Sequence, residues 1–247
     1  MSTEKKKKVT IVIPTYNERE NIEEFLSQIL RLKLLWDISI IVVDDDSPDG
    51  TAEVVSCLAQ KEKNIHLLLR KGKRGRGSAG IEGFKKALSL GPEYIMEMDA
   101  DFSHCPDEIP RLLEAAPGAD VVIGSRFVPG GKDAERSFGR KLLTLLVRFF
   151  LRAHLRVPVR DITSGFRCFK KEVLEGIDLG SLKSRGPSIV QEVLYRAFLL
   201  GYRIKEVPIT FKNRKRGATK LTFSTLWETL IFNWKLKKSI KTSLQDR

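Results

Sequence analysis

Histidine and cysteine are scarce, with three of each in 247 residues. Cys57, Cys105 and Cys168 stand apart without C-x-x-C spacing, which suggests neither a zinc knuckle nor a disulfide framework and fits a reducing, cytosolic setting. His66, His104 and His154 form no Ser-His-Asp or Cys-His pattern. Neither G-x-S-x-G nor G-x-x-x-x-G-K-[ST] occurs, so hydrolase and P-loop ATPase readings fall away. Long hydrophobic runs are also missing. The longest, residues 142–151, contains Arg148 and falls far short of the roughly 20 residues that cross a bilayer. No apolar stretch behind the lysine-rich residues 1–8 is long enough for a signal peptide. With 18 Gly and 10 Pro against 42% hydrophobic residues, collagen-like and disordered chains are excluded, and one large domain with a real core is expected.

What is present is positive charge and an alternating pattern. Lys plus Arg exceed Asp plus Glu by 44 − 31 = 13, favouring an anionic partner: nucleic acid, a phosphorylated metabolite or an anionic membrane face. Residues 9–13 form a continuous β-branched run stopped by Pro14, as expected of a strand buried on both faces. Asn17 is the expected N-cap of the next helix, with Glu20 three residues on. Further strands are expected at 38–43, 65–69, 94–98 and 120–125, separated by helical patterns. That order predicts an α/β fold, a mostly parallel sheet with helices on both faces and ligands at the carboxyl ends of its strands. Helices are expected at 138–155 and 187–200, with a short element at 165–169 and a strand at 203–207. The tail repeats Phe223, Leu226, Trp227, Leu230, Ile231 and Trp234 on one apolar helix face. The expected division is a basic tail (1–8), a main domain (9–222) and a C-terminal amphipathic helix and tail (223–247).

Asp99-Ala100-Asp101 falls at the end of the fourth expected strand. Two carboxylates one residue apart can share a hard divalent ion holding a diphosphate; the alternative is a solvated Asx turn. Asp44, Asp45, Asp46 and Asp49 close another strand and are expected to face the same crevice, where carboxylates accept bonds from ribose or base; Asp49 or Thr51 also suits the next helix as a cap. Gly75-Arg76-Gly77-Ser78-Ala79-Gly80 matches the G-x-G-x-x-G of a dinucleotide-dependent oxidoreductase. It follows the third strand rather than the first, with Lys71, Lys73 and Arg74 lengthening the turn, so a flexible cationic lid over a phosphate is preferred. Arg126, Arg136, Arg140 and Lys141, and again Lys212, Arg214, Lys215, Arg216 and Lys220, offer two phosphate-gripping clusters. No motif of a nucleic-acid reader accompanies them, so no nucleic-acid partner is expected. His104, beside the acidic pair, is either a further ligand or a bystander.

The ordered set Pro14-Thr15-Tyr16-Asn17-Glu18, Asp44-Asp45-Asp46-Ser47-Pro48-Asp49-Gly50-Thr51, Asp99-Ala100-Asp101, Gly124-Ser125-Arg126, Thr163-Ser164-Gly165-Phe166 and Gly217-Ala218-Thr219-Lys220 resembles the dolichol-phosphate (polyprenol-phosphate) mannosyltransferase family. Its members are inverting family 2 glycosyltransferases with the GT-A (nucleotide-diphospho-sugar transferase) fold. The resemblance implies mannose transfer from GDP-mannose to dolichyl or polyprenyl phosphate; the rival uses UDP-glucose or another UDP-sugar. It implies that Pro14, Tyr16, Glu18, Val43 and Asp45 line the nucleoside pocket. Asp99 and Asp101, with Ala100 between them, would hold Mg²⁺ or Mn²⁺, Arg126 and Arg140 would clamp the acceptor phosphate, and Arg214 and Lys220 would close over the donor phosphates. Asp101, Arg126 and Arg140 are the implied catalytic residues. Ser103 stands where some members place Gln as a third ligand, and Ala218-Thr219 where many carry Glu-Ser. The lipid acceptor implies a peripheral enzyme on the cytoplasmic face of a membrane, docked through its apolar helices and in some members held by a small membrane anchoring subunit.

Overall fold

The computed structural model describes residues 6–32, 36–134, 138–214 and 223–245, without the side chains at 138, 140, 223–225 and 239–245. In chain order the elements are β1 (Lys8–Thr15), α1 (Arg19–Arg31), β2 (Asp37–Asp44), α2 (Thr51–Lys61), β3 (Ile65–Leu69), α3 (Arg76–Ser89), β4 (Tyr94–Glu97), α4 (Ile109–Ala115) and β5 (Val121–Ser125). They continue as β6 (Lys132–Asp133), α5 (Phe138–Leu155), β7 (Arg167–Lys170), α6 (Lys171–Gly176), α7 (Ile189–Leu199), β8 (Ile204–Pro208), β9 (Thr210–Phe211) and α8 (Phe223–Gln245). The large sheet has the order β3-β2-β1-β4-β7-β5-β8. β7 alone runs against its neighbours in that sheet, so it is mostly parallel, as the alternation of strands and helices predicts. β6 and β9 pair separately.

Strand alternation builds two cores. Ile11, Ile13, Ile40 and Val42 point to the side covered by α1, with Phe25 and Leu26, while Val12, Ile41 and Val43 point to α3 and Phe84. Phe84 meets Phe169 of β7 edge-on at 5.8 Å. α3 lies close because Gly83 has no side chain: a Cβ there would stand 2.3 Å from Val12 Cγ1.

Two local expectations need correction. Asn17 does not cap α1; it takes a left-handed φ of 54°, donates its N–H to Ser47 Oγ at 2.9 Å, and leaves Glu18 as the N-cap. Asparagine tolerates that conformation, and the turn is shaped by its tie to the loop after β2 rather than by the helix. The tail is not a single apolar face either. Leu226 and Leu230 pack inward with buried Thr229, Asn233 and Leu236, whereas Trp227, Ile231 and Trp234 point outward, the two tryptophans 58% and 56% exposed. The buried stripe therefore mixes polar with apolar residues, which hydrophobic spacing cannot reveal.

Gly83→Ala is expected to destabilise the protein by about 3 kcal/mol, the cost of forcing a methyl into a filled core, read as a lowered urea midpoint.

Candidate active site

A cavity of about 850 Å³ opens where β1, β2 and β4 end. Pro14, Tyr16 and Glu18 reach it from the end of β1, Asp45 from beyond β2, and Asp99, Ala100 and Asp101 from beyond β4. Arg126 follows β5, and Arg214 closes the cavity from the chain after β9. α5 contributes Leu143, Thr144 and Val147 to the wall, and α8 contributes Leu226, Glu228 and Thr229. Val43 is not on this wall: its side chain is fully buried in the core beside α3. The Arg140 side chain, Arg136, and Lys215, Arg216 and Lys220 with the Gly217-Ala218-Thr219 motif lie outside the described residues.

The acidic run after β2 divides its work. Asp44 is fully buried and accepts Thr15 Oγ1 at 2.7 Å, Ser47 N at 2.9 Å and Ser47 Oγ at 2.7 Å, so it holds the loop and is spent there. Asp49 accepts the Thr51 N–H at 3.0 Å and its hydroxyl at 2.6 Å, but the N-cap of α2 is Gly50, in a left-handed conformation, rather than Asp49 or Thr51. Exposed Asp46 does not line the cavity. Asp45 alone faces inward, held by Arg70 and by the Gly75 N–H at 2.7 Å, and burial raises its carboxyl above the ordinary range against both donors. Arg74 lies over the Tyr16 ring at 4.6 Å.

The glycine-rich segment is a wall rather than a separate lid. Gly75 takes a φ of 134° to bring its N–H to Asp45; α3 begins at Arg76, and the Gly77 N–H reaches Arg185 O at 2.9 Å. The G-x-G-x-x-G spacing therefore serves helix packing, with no dinucleotide turn after β1.

Asp99 and Asp101 each meet an arginine. Arg76 gives Nε and Nη2 to Asp99 Oδ1 at 3.3 and 3.0 Å, and Nη1 to Glu97 Oε1 at 3.2 Å. Burial opposes charge on Asp99, yet Arg76 and nearby His104 outweigh it and bring the carboxyl down to about 2. Arg214 gives Nε and Nη2 to Asp101 Oδ2 at 3.1 and 3.0 Å, and Nη2 also reaches Glu18 Oε1 at 3.0 Å. Ser103 donates through N and Oγ to Asp101 Oδ1, at 3.0 and 2.6 Å. His104 is buried against Phe166, and its Nδ1 accepts the Asp99 N–H at 3.1 Å; burial lowers its pKa and favours the neutral ring.

These residues fit a hard divalent ion of the Mg²⁺ or Mn²⁺ kind. Among the described residues no three His, Cys, Asp or Glu gather into a cage, but two carboxylates facing a cavity are the protein's usual share when a nucleotide's phosphates and water complete the shell. The arginines already on both carboxylates mark the position as one that calls for positive charge.

Arg126 is fixed by residues that spacing did not reveal. Its Nε and Nη2 grip Asp161 at 2.7 and 2.8 Å, and Nη2 also reaches Thr163 Oγ1 at 2.7 Å. Asp161 is fully buried; burial would raise its carboxyl, but Arg126 holds it low. Glu206 of β8 accepts the backbone N–H groups of Arg160 and Asp161 at 2.6 and 2.7 Å. Beneath this loop, buried Arg167 donates to the carbonyls of Ser164, Ile162 and Val190. The visible hints were an aspartate two residues before Thr163 and an arginine inside the glycine-rich run; their partners lie 35 and 23 residues away.

Residues 10–178 match the family described as glycosyl transferase family 2. The chain belongs to that family, and its architecture is the GT-A fold. It is 39% identical to the undecaprenyl-phosphate mannosyltransferase of Micrococcus luteus over 91% of each chain. It is 40% identical to the polyprenol monophosphomannose synthase of Mycolicibacterium smegmatis, over 89% of this chain and 83% of that one. It is also 40% identical to the dolichol-phosphate mannosyltransferase of Pyrococcus furiosus, over 94% of this chain but 64% of that longer one. Among solved structures, glucosyl-3-phosphoglycerate synthase of Mycobacterium tuberculosis, in complex with Mn²⁺, UDP and glucosyl-3-phosphoglycerate, shares the fold at a TM-score of 0.68 and 20% identity, over 94% of this chain and 79% of that one.

Asp161→Asn is expected to lower unfolding free energy by about 3 kcal/mol, because Arg126 loses the anion that neutralises it in a nearly buried position; denaturant titration reads the loss.

Proposed function

We propose that this enzyme transfers mannose from GDP-mannose to a polyprenyl or dolichyl phosphate with inversion at the sugar. One observation carries the reading: Asp99 and Asp101, suited to a donor diphosphate, share a cavity with Arg126, suited to an acceptor phosphate. The named relatives support the acceptor class and the sugar.

The acceptor needs no general base. A phosphate monoester has its second pKa at about 6 and is largely a dianion at neutral pH. Arg126, held by Asp161 and Thr163, orients that dianion so that one oxygen meets the anomeric carbon. The bond from that carbon to the donor's β-phosphate oxygen breaks as the new C–O bond forms, and the nucleoside diphosphate departs with the electron pair. Arg214 faces the leaving phosphates, and Asp45, Tyr16, Glu18 and Pro14 hold the nucleoside. A divalent ion bound by Asp99 and Asp101 supplies further neutralisation of the diphosphate. Arg140 and Lys220 are assigned to the acceptor and donor phosphates respectively.

A polyprenyl tail stays in lipid, so the enzyme works at the cytoplasmic face of a membrane. Among the described residues no helix is long and apolar enough to cross a membrane. Leu146 and Phe149 of α5, 60% and 74% exposed, and Trp227 and Trp234 of α8 offer an apolar face near Arg148, Arg152 and Lys235 for peripheral docking. A small membrane subunit is a further means of anchorage.

Radiolabel from GDP-mannose should enter the lipid extract with polyprenyl phosphate and stop with chelator, whereas label from UDP-glucose should not. Preference for UDP-glucose overturns the donor assignment. Asp101→Asn should cut transfer on the order of a hundredfold or more while circular dichroism stays unchanged. The pair Phe149→Glu and Trp227→Glu should reduce flotation with anionic vesicles; undiminished flotation rejects this face as the docking surface.

A further inference from the structure

The arginines that meet Asp99 and Asp101 are mounted differently. Arg214 belongs to a stretch without regular structure following β9, whereas Arg76 is the first residue of α3. Arg76 is also anchored from behind by Glu97, whose side chain is 3% exposed. Beside it, Gly165 leaves room for the guanidinium: a Cβ there would stand 2.8 Å from Arg76 Nη2. Helix, buried anion and glycine together keep Arg76 where it is, with two of its nitrogens on Asp99 Oδ1.

We propose that Arg76 is a resident cation that competes with a divalent ion for Asp99, so that the ion is held firmly only when a nucleoside diphosphate is bound as well. The inference rests on the reading of Asp99 and Asp101 as the ion's protein ligands. An ion reaching Asp99 must share the carboxylate with a guanidinium that buried Glu97 also holds. Like charges a few ångströms apart, in a partly buried site, weaken the ion's hold on the empty enzyme. Incoming phosphates reverse the balance, since they attract both cations. Ion and nucleotide then bind cooperatively, and by linkage each strengthens the other equally. Arg76 is thus a positioning residue that couples the binding of ion and nucleotide.

Mn²⁺ titration followed by the electron paramagnetic resonance of the free ion, without and then with GDP, tests this. Arg76→Met and Arg76→Gln should each bind Mn²⁺ alone about tenfold more tightly than the parent. Arg76→Lys, which keeps the charge, should stay within about twofold. GDP should sharpen Mn²⁺ binding strongly in the parent and weakly in the neutral variants. If Arg76→Met does not fold, Arg76→Gln decides, since its amide still reaches toward Asp99. Neutral variants that bind Mn²⁺ alone no more tightly than the parent overturn the inference. Mn²⁺ binding that survives Asp101→Asn intact, by contrast, removes the ion site itself and this inference with it.

Discussion

Carboxylates crowded at the ends of parallel strands repel one another, and this cavity exists because guanidinium groups answer them. Asp45 faces Arg70, Asp99 and Glu97 share Arg76, and Asp101 and Glu18 share Arg214. At Asp99 the pairing outweighs burial and lowers the carboxyl, whereas at Asp45 and Glu97 burial prevails and raises it. It also holds the glycine-rich segment in place, since Gly75 and Arg76 are adjacent yet reach different acids. The Asp45 wall and the Asp99–Asp101 pair are thereby one mechanical unit.

The Arg126 side of the cavity is built on the same chemistry with the signs exchanged. There the arginine faces the cavity and the acid lies behind it: Asp161 is sealed from solvent while Arg126 lines the space. Arg126 also lies over the rings of Phe127 and Phe211, at 5.2 and 4.9 Å. One carboxylate, one hydroxyl and two aromatic faces together restrict the orientation of the guanidinium.

Local chemistry made much of this legible. Residues 9–13 and 38–43 could bury both faces only inside a parallel sheet, and the acids after them had to emerge at one rim. The spacing of α5 matched its bounds from Phe138 to Leu155. What remained hidden was set by tertiary contact. Asp44 and Asp45 are indistinguishable as neighbours in a row, yet Thr15 and Ser47 engage one while Arg70 and Gly75 engage the other. Val43 precedes these acids but alternates onto the face that α3 covers. Asn17 reads as a cap until a loop 30 residues away takes its N–H. Trp227 and Trp234 share an apolar spacing with Leu226 and Leu230, yet only the leucines pack inward, because hydrophobicity does not say which part of a helix face the core covers.

Glu206 gives the architecture an unexpected dependence. It stands on the outermost strand, β8, beyond the last residue of the family match at 178, and yet it fastens the backbone that carries Asp161. A shortened form ending before β8 would keep Asp45, Asp99 and Asp101 but lose Arg214, and it would leave the backbone that carries Asp161 without its tie to Glu206. Both sides of the cavity thus depend on chain beyond residue 178, and the boundary of the family match is a poor guide to where this enzyme can be cut.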